Sequence, residues 1–336
     1  MKRIAAVVIV LGIMLGVAPP SQALTHLGAT DNVALAIKWR QALLPDGSPF
    51  AILVRSDSFA DSLAAGALAG FIGAPVLMNP PGGALDDRVA AELSAMGADT
   101  VLVIGGTAAV SDATEADLEA EGYIVNRYAG DNRIATAVAV FEQVALVEDS
   151  PIYDSSTVVF LARGFGDGSS AFADSLGAGM LAGTTGGPLL LTETATLSSE
   201  TRAAIQSASG LTDAVIVGGT AAVSQAIENE LTSMGLIVER IAGENRFETA
   251  ARTADRSFNG TPGDIVAMVE GLNANSWASG YPASVSSGGA VVLADGDTLP
   301  DATASFLSSQ PGGELYCAPE VSHTACLAAD GLLNGG

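Results

Sequence analysis

A single internal shift constrains this chain more than any other feature. Phe59-Ala60-Asp61-Ser62-Leu63 returns as Phe172-Ala173-Asp174-Ser175-Leu176, Gly105 to Ser111 returns as Gly218 to Ser224, and Arg127 to Arg133 returns, with substitutions, as Arg240 to Arg246. All three pairs are separated by one and the same offset, so the chain carries a duplication and must fold from a repeating unit. A third copy is eroded: Trp277-Ala278-Ser279 stands where Phe-Ala-Asp stood, and Ala318-Pro319 replaces the Gly-Gly pair. Ahead of the first copy, Gly28 to Lys38 reads as a worn form of the Arg127 segment with both arginines lost. The steps place units at residues 24–126, 127–239 and 240–336, the last degenerate.

Within a full copy, short apolar runs alternate with helical patterns. In the second copy the spacing predicts strands at Thr157–Leu161, Leu189–Leu191, Ala214–Val217 and Leu236–Glu239, and helices at Asp174–Leu181, Ser199–Ala208 and Gln225–Met234. Strands without polar residues, separated by helices, imply an α/β fold with a parallel sheet covered on both faces.

Lys2 and Arg3 precede an uncharged apolar run, Ile4 to Val17, and Ser21-Gln22-Ala23 forms a small-x-small site. That order reads as a signal peptide over 1–23, with an uncleaved anchor as the alternative. No later stretch is long and apolar enough to span a bilayer, so a secreted protein is expected. With 49% hydrophobic and 15% charged residues, the chain should pack a core. Its net charge of −23, deepened by two if Lys2 and Arg3 leave with the leader, repels phosphate backbones and argues against nucleic acid. Cys317 and Cys326 are the only cysteines, and in an exported chain a close pair favours a disulfide over a metal or redox site.

The Arg-x-Ala-Gly-x-x-Arg-x-x-Thr-Ala segments at Arg127–Ala137 and Arg240–Ala250, followed by Phe-Ala-Asp-Ser-Leu, Pro-Leu-Leu-Leu and Val-Gly-Gly-Thr-Ala-Ala-Val-Ser, resemble the cell-wall-binding repeat type 2 family. The resemblance covers nearly the whole chain after the leader. It implies three tandem Rossmann-like subdomains with short parallel sheets around a pseudo-threefold axis. It also implies non-covalent, non-catalytic attachment to an anionic cell-wall polymer, placing the protein in the wall or at the cell surface. A surface-layer or scaffold protein acting through contacts with other surface proteins is the alternative, and an enzyme with an unfamiliar site is a third.

Several residues are candidates for ligand contact. Gly105-Gly106-Thr107 and Gly218-Gly219-Thr220 end a strand ahead of a helix opened by Ser111 or Ser224. Their N–H groups can hold an anion, or the segments are tight turns only. Arg55 and Arg163 close the first strand of their copies, and Asp61 and Asp174 follow. The arginines suit bidentate anion contact; alternatively they pair with neighbours and the aspartates cap helices. In the third copy Glu270 takes the arginine's place. Arg127, Gly130, Arg133, Arg240, Gly243 and Arg246 lie at the copy boundaries and are expected to stitch units together.

Hydrolytic chemistry finds little support. The two histidines, His26 and His323, fit no metal motif, and Ala173-Asp174-Ser175-Leu176-Gly177 lacks the first glycine of a nucleophile elbow. No cofactor or metal is expected. Because the net field opposes an acidic ligand, affinity must come from local pockets or from bridging divalent cations. Eleven of the twelve basic residues beyond the leader are arginines, which favours pockets, with Arg55 and Arg163 as leading candidates.

Overall fold

The computed structural model describes residues 24–147, 150–168, 172–258, 265–283, 289–310 and 313–334. The expected leader at 1–23 lies outside them.

Unit one contains β2 (Phe50–Arg55), a 3-10 turn (Ser62–Ala64) running into α2 (Ala65–Ile72), β3 (Val76–Asn79), α3 (Asp87–Met96), β4 (Thr100–Ile104), α4 (Asp112–Ala120) and β5 (Ile124–Tyr128). Helix α5 (Arg133–Gln143) and a short antiparallel hairpin, β6 (Ala145–Val147) with β7 (Ser150–Pro151), lead onward. Unit two contains β8 (Val158–Arg163), α6 (Ala173–Thr185), β9 (Leu189–Thr192), α7 (Ser199–Ser207), β10 (Asp213–Val217), α8 (Gln225–Ser233) and β11 (Ile237–Ile241). Helix α9 (Arg246–Ser257) then leads to unit three, which has β12 (Ile265–Glu270), α10 (Trp277–Ala283), β13 (Ala290–Ala294), α11 (Asp301–Ser309), β14 (Glu314–Cys317) and α12 (His323–Asn334). Near the start of the described chain lie β1 (Thr25–His26) and α1 (Asn32–Leu43).

Three four-stranded parallel sheets result, ordered β3-β2-β4-β5, β9-β8-β10-β11 and β13-β12-β14-β1. The third sheet takes its last strand from the far end of the chain: Thr25 lies opposite Tyr316 and His26 opposite Cys317. The worn segment at Gly28–Lys38 therefore forms the junction from unit three to unit one. The cuts at 126 and 239 fall inside β5 and β11, which pair with the preceding sheet, so the repeat in sequence and the sheet in space are offset.

Period-two burial explains the apolar strands. Ile52, Val54, Leu102 and Ile104 enter the main core, while Ala51, Leu53, Val101 and Val103 enter a second cluster behind the sheet. The main core runs through all three units and includes Val54, Leu161 and Val266. Helices α2, α6 and α10 pack against one another at the centre, where Ala- and Gly-rich faces allow close approach. The equivalent rings Phe59, Phe172 and Trp277 converge there, Phe59 lying 5.3 Å from Phe172 and 6.5 Å from Trp277. This is the pseudo-threefold arrangement.

Candidate anion-binding sites

The carboxyl edge of each sheet faces the junction helix that leaves it. In unit two the two come together around Asp174, in the first turn of α6. Arg163 from the end of β8, Gly219 after β10, and Gly243 to Arg246 with Thr249 ahead of and within α9 line a cavity of about 220 Å³ with it. Burial raises the Asp174 pKa, and Arg163 and Arg246 both act to lower it. Gly218 has φ +116°, and a Cβ there would stand 2.7 Å from Asp174 Oδ2. The glycine is required twice over, by its backbone and by the carboxylate against it.

Unit one repeats the pattern. Asp61 accepts a 3.1 Å hydrogen bond from Thr136 Oγ1. Burial raises its pKa, against this hydrogen bond and the charges of Arg55 and Arg133. Gly105, at φ +111°, packs against Asp61 as Gly218 does against Asp174. Arg55 turns onto Asp57 with two bonds of 2.6 and 2.9 Å, the neighbour-pairing alternative. Neither aspartate makes the expected side-chain cap: Asp61 sits at the cap position of the 3-10 turn without such a bond, and Asp174 lies inside α6.

The boundary arginines divide into two kinds. Arg127 donates to Glu115 and to Gly105 O (2.8 Å), and Arg240 to Glu228 (2.8 Å), Gly218 O (2.8 Å) and Val223 O (2.9 Å). Both thus hold the glycine turn of their own sheet. Arg133 and Arg246 instead cross to the next unit, donating to Gly164 O and Gly271 O, each at 2.8 Å. Arg133 also lies over Phe59 (5.1 Å) and Phe165 (4.8 Å), a cation–π arrangement that fixes its plane. Gly130 and Gly243 donate to the hydroxyls of Thr136 (3.2 Å) and Thr249 (3.0 Å). Thr107 and Thr220 are exposed on the turns. Among the described residues no hydrogen bond uses the N–H groups of Gly106, Thr107, Gly219 or Thr220.

Unit three is different. Glu270 is buried, and its carboxylate accepts from the N–H groups of Leu272 (2.8 Å), Asn273 and Gly296 (3.3 Å). Ser279, in the aspartate's place, donates to Glu320 (3.1 Å), whose pKa is raised chiefly by burial. Asn32 replaces the crossing arginine and donates to Ser56 O at 2.8 Å.

Sequence reasoning placed Arg55, Arg163, Arg133 and Arg246 in separate roles, whereas the structure gathers them in pairs around Asp61 and Asp174. Thr136 and Thr249 were missed, although they recur at the same repeat step as the arginines. Nothing in the repeat pointed to Glu320.

Three linked α/β units, two of them with an arginine pair around a half-buried aspartate, define a repeat module. The profile of Cell wall binding domain 2 (CWB2) matches residues 26–115 and 127–228, and the chain belongs to this family. It is 36% identical over 130 residues to N-acetylmuramoyl-L-alanine amidase LytC of Bacillus subtilis (strain 168), covering 39% of this chain and 23% of that protein. To the amidase enhancer of the same organism it is 28% identical over 231 residues, 67% of this chain and 29% of that protein. Two solved structures share the fold across 92% of the chain: Cwp6 from Clostridium difficile (TM-score 0.77, 19% identity, 48% of that chain) and Cwp8 from the same organism (0.75, 22%, 51%). The chain spans less than a third of the curated relatives and about half of each structure.

Proposed function

We propose that this protein is exported and binds an anionic polymer of the bacterial cell wall without catalysis, anchoring itself at the cell surface through units one and two. The observation that carries this reading is the twin constellation Arg55–Asp61–Arg133 and Arg163–Asp174–Arg246, beside glycine turns where, among the described residues, no protein acceptor takes the N–H groups of Gly106, Thr107, Gly219 and Thr220. Two guanidinium groups flank one carboxylate at each edge. A planar fork suits phosphate or carboxylate oxygens, and half-burial keeps the attraction from being screened. Arg55 is engaged by an exposed aspartate, so a ligand anion must compete with Asp57 there.

Pelleting with isolated, deproteinated walls tests the reading. Replacing Arg55 and Arg163 together by alanine should lower the bound fraction at least tenfold while leaving the circular dichroism spectrum unchanged. Full retention of wall binding by the folded double variant would refute it. A scaffold role has one observation in its favour: Ile124 and Ile237, at equivalent places on the open edges of β5 and β11, are 61% and 71% exposed. Self-association in sedimentation, abolished by Ile124→Lys with Ile237→Lys, would favour that role.

A further inference from the structure

The last strand of each sheet is tied to its neighbours in two different ways. β5 and β11 each pair over five residues. Each also carries an arginine that bonds the glycine-turn carbonyl and a glutamate of the following helix, Arg127 with Glu115 of α4 and Arg240 with Glu228 of α8. β1 pairs over two residues only, shorter than ordinary strands, and has no such arginine. His26 stands in its place, five residues before the helix-capping Asp31 as Arg127 and Arg240 stand before Asn132 and Asn245. Its Nε2 lies 2.8 Å from Val321 O, the counterpart of the Arg240 bond to Val223 O. A further anchor is Leu27 N–H to Cys317 O, at 2.9 Å.

Both acceptors, Cys317 O and Val321 O, belong to the loop closed by the Cys317–Cys326 disulfide, whose Cα atoms are 6.2 Å apart. Both cysteines are fully buried, and the bond joins the end of β14 to the first turn of α12. In units one and two an arginine of the last strand, β5 or β11, spans the turn after the preceding strand and a glutamate of the following helix. We propose that the disulfide is the lock of the three-unit ring: it substitutes for that ion pair, holding the two carbonyls at the spacing β1 requires. Without it, β1 undocks and residues 25–30 open while α1 and units one and two stay folded. The helix that follows, α1, is held separately: it packs on α10 and α3, buries Trp39, and pairs Arg40 with Glu92 of α3 at 3.0 Å. Asn32 and Asn275 exchange exposed hydrogen bonds of 3.3 and 3.0 Å, and the Trp39 ring lies 6.5 Å from Tyr316.

Hydrogen exchange under native conditions, read peptide by peptide, tests the lock. In the Cys317→Ala/Cys326→Ala variant the amides of 25–30 should exchange about a hundredfold faster, the chain-entropy effect of a loop this size, with β8 to β11 unchanged. Unchanged protection of 25–30 would overturn the proposal. So would an equal loss of protection across unit two, which would make the bond a support of the whole fold. If the cysteine-free variant does not fold, His26→Ala with the disulfide intact decides: protection of 25–30 must fall at least tenfold, and an unaltered profile rejects the seam.

Discussion

Units two and three share a strand order, a helix order and a common core, yet they treat the same positions in opposite ways. Unit two surrounds Asp174 with Arg163 and Arg246 and holds its glycine turn with Arg240. Unit three has Glu270, Ser279 and Glu320 around the corresponding edge, with Asn32 and His26 in place of arginines. The backbone groups that needed donors still have them: Ser56 O takes Asn32 as Gly164 O takes Arg133, and Val321 O takes His26 as Val223 O takes Arg240. At Ser56 O an uncharged amide meets that requirement as well as a guanidinium does. What disappeared is the positive charge, which the fold does not need and an anionic ligand does.

The sharpest way to break this comparison is at the glycine turn. Gly218→Val forces a β-branched residue to positive φ and drives its Cβ into Asp174, and should cost about 3 kcal/mol or more. A urea midpoint for the variant equal to that of the parent would mean that the turn is not held as described. Next in size is conversion of the two crossing arginines to the unit-three type. Arg133→Asn with Arg246→Asn should lower stability by about 1 kcal/mol per site, because a neutral donor remains. Wall binding should fall more than tenfold. Loss of folding and binding in parallel would show that charge serves structure after all.

A smaller effect concerns pH. Burial raises the pKa of Asp61 and Asp174, so the native protein binds more protons than the unfolded chain above the ordinary aspartate range of about 3.9. Stability from these groups therefore falls as pH rises through that window up to the raised native values. Protonation also removes the negative charge between the arginines. Wall binding should strengthen on acidification towards the ordinary aspartate range, by a few-fold. Asp61→Asn with Asp174→Asn should flatten the profile, and a slope surviving in that variant would place its origin in other groups. Smallest is the response to ions. The chain carries a charge of −23. Moderate salt screens that repulsion beyond about 8 Å and should leave binding equal or slightly stronger, and EDTA should not release the protein. Release by EDTA would point to bridging cations.

The architecture was legible because a repeat is a statement about structure made several times. The apolar runs at Val158–Arg163 and Leu189–Thr192 need two covered faces wherever they occur, and the helices between them leave only a parallel sheet. Element ends were less legible: α6 runs from Ala173 to Thr185 rather than from Asp174 to Leu181, because its small residues pack along α2 beyond the point where the sequence pattern fades. The identity of Arg55, Arg163, Arg133 and Arg246 as the chain's notable cations was also readable in advance, since arginine is the residue that recurs. Their grouping was not. Arg163 and Arg246 are far apart in the chain, and whether they share a carboxylate depends on how a junction helix crosses the edge of the sheet it leaves. The closure of the third sheet by Thr25 and His26 was decided at the same level. Two residues carry no strand signal of their own, and only the open edge of β14, with unpaired backbone groups to satisfy, selects them as its partner.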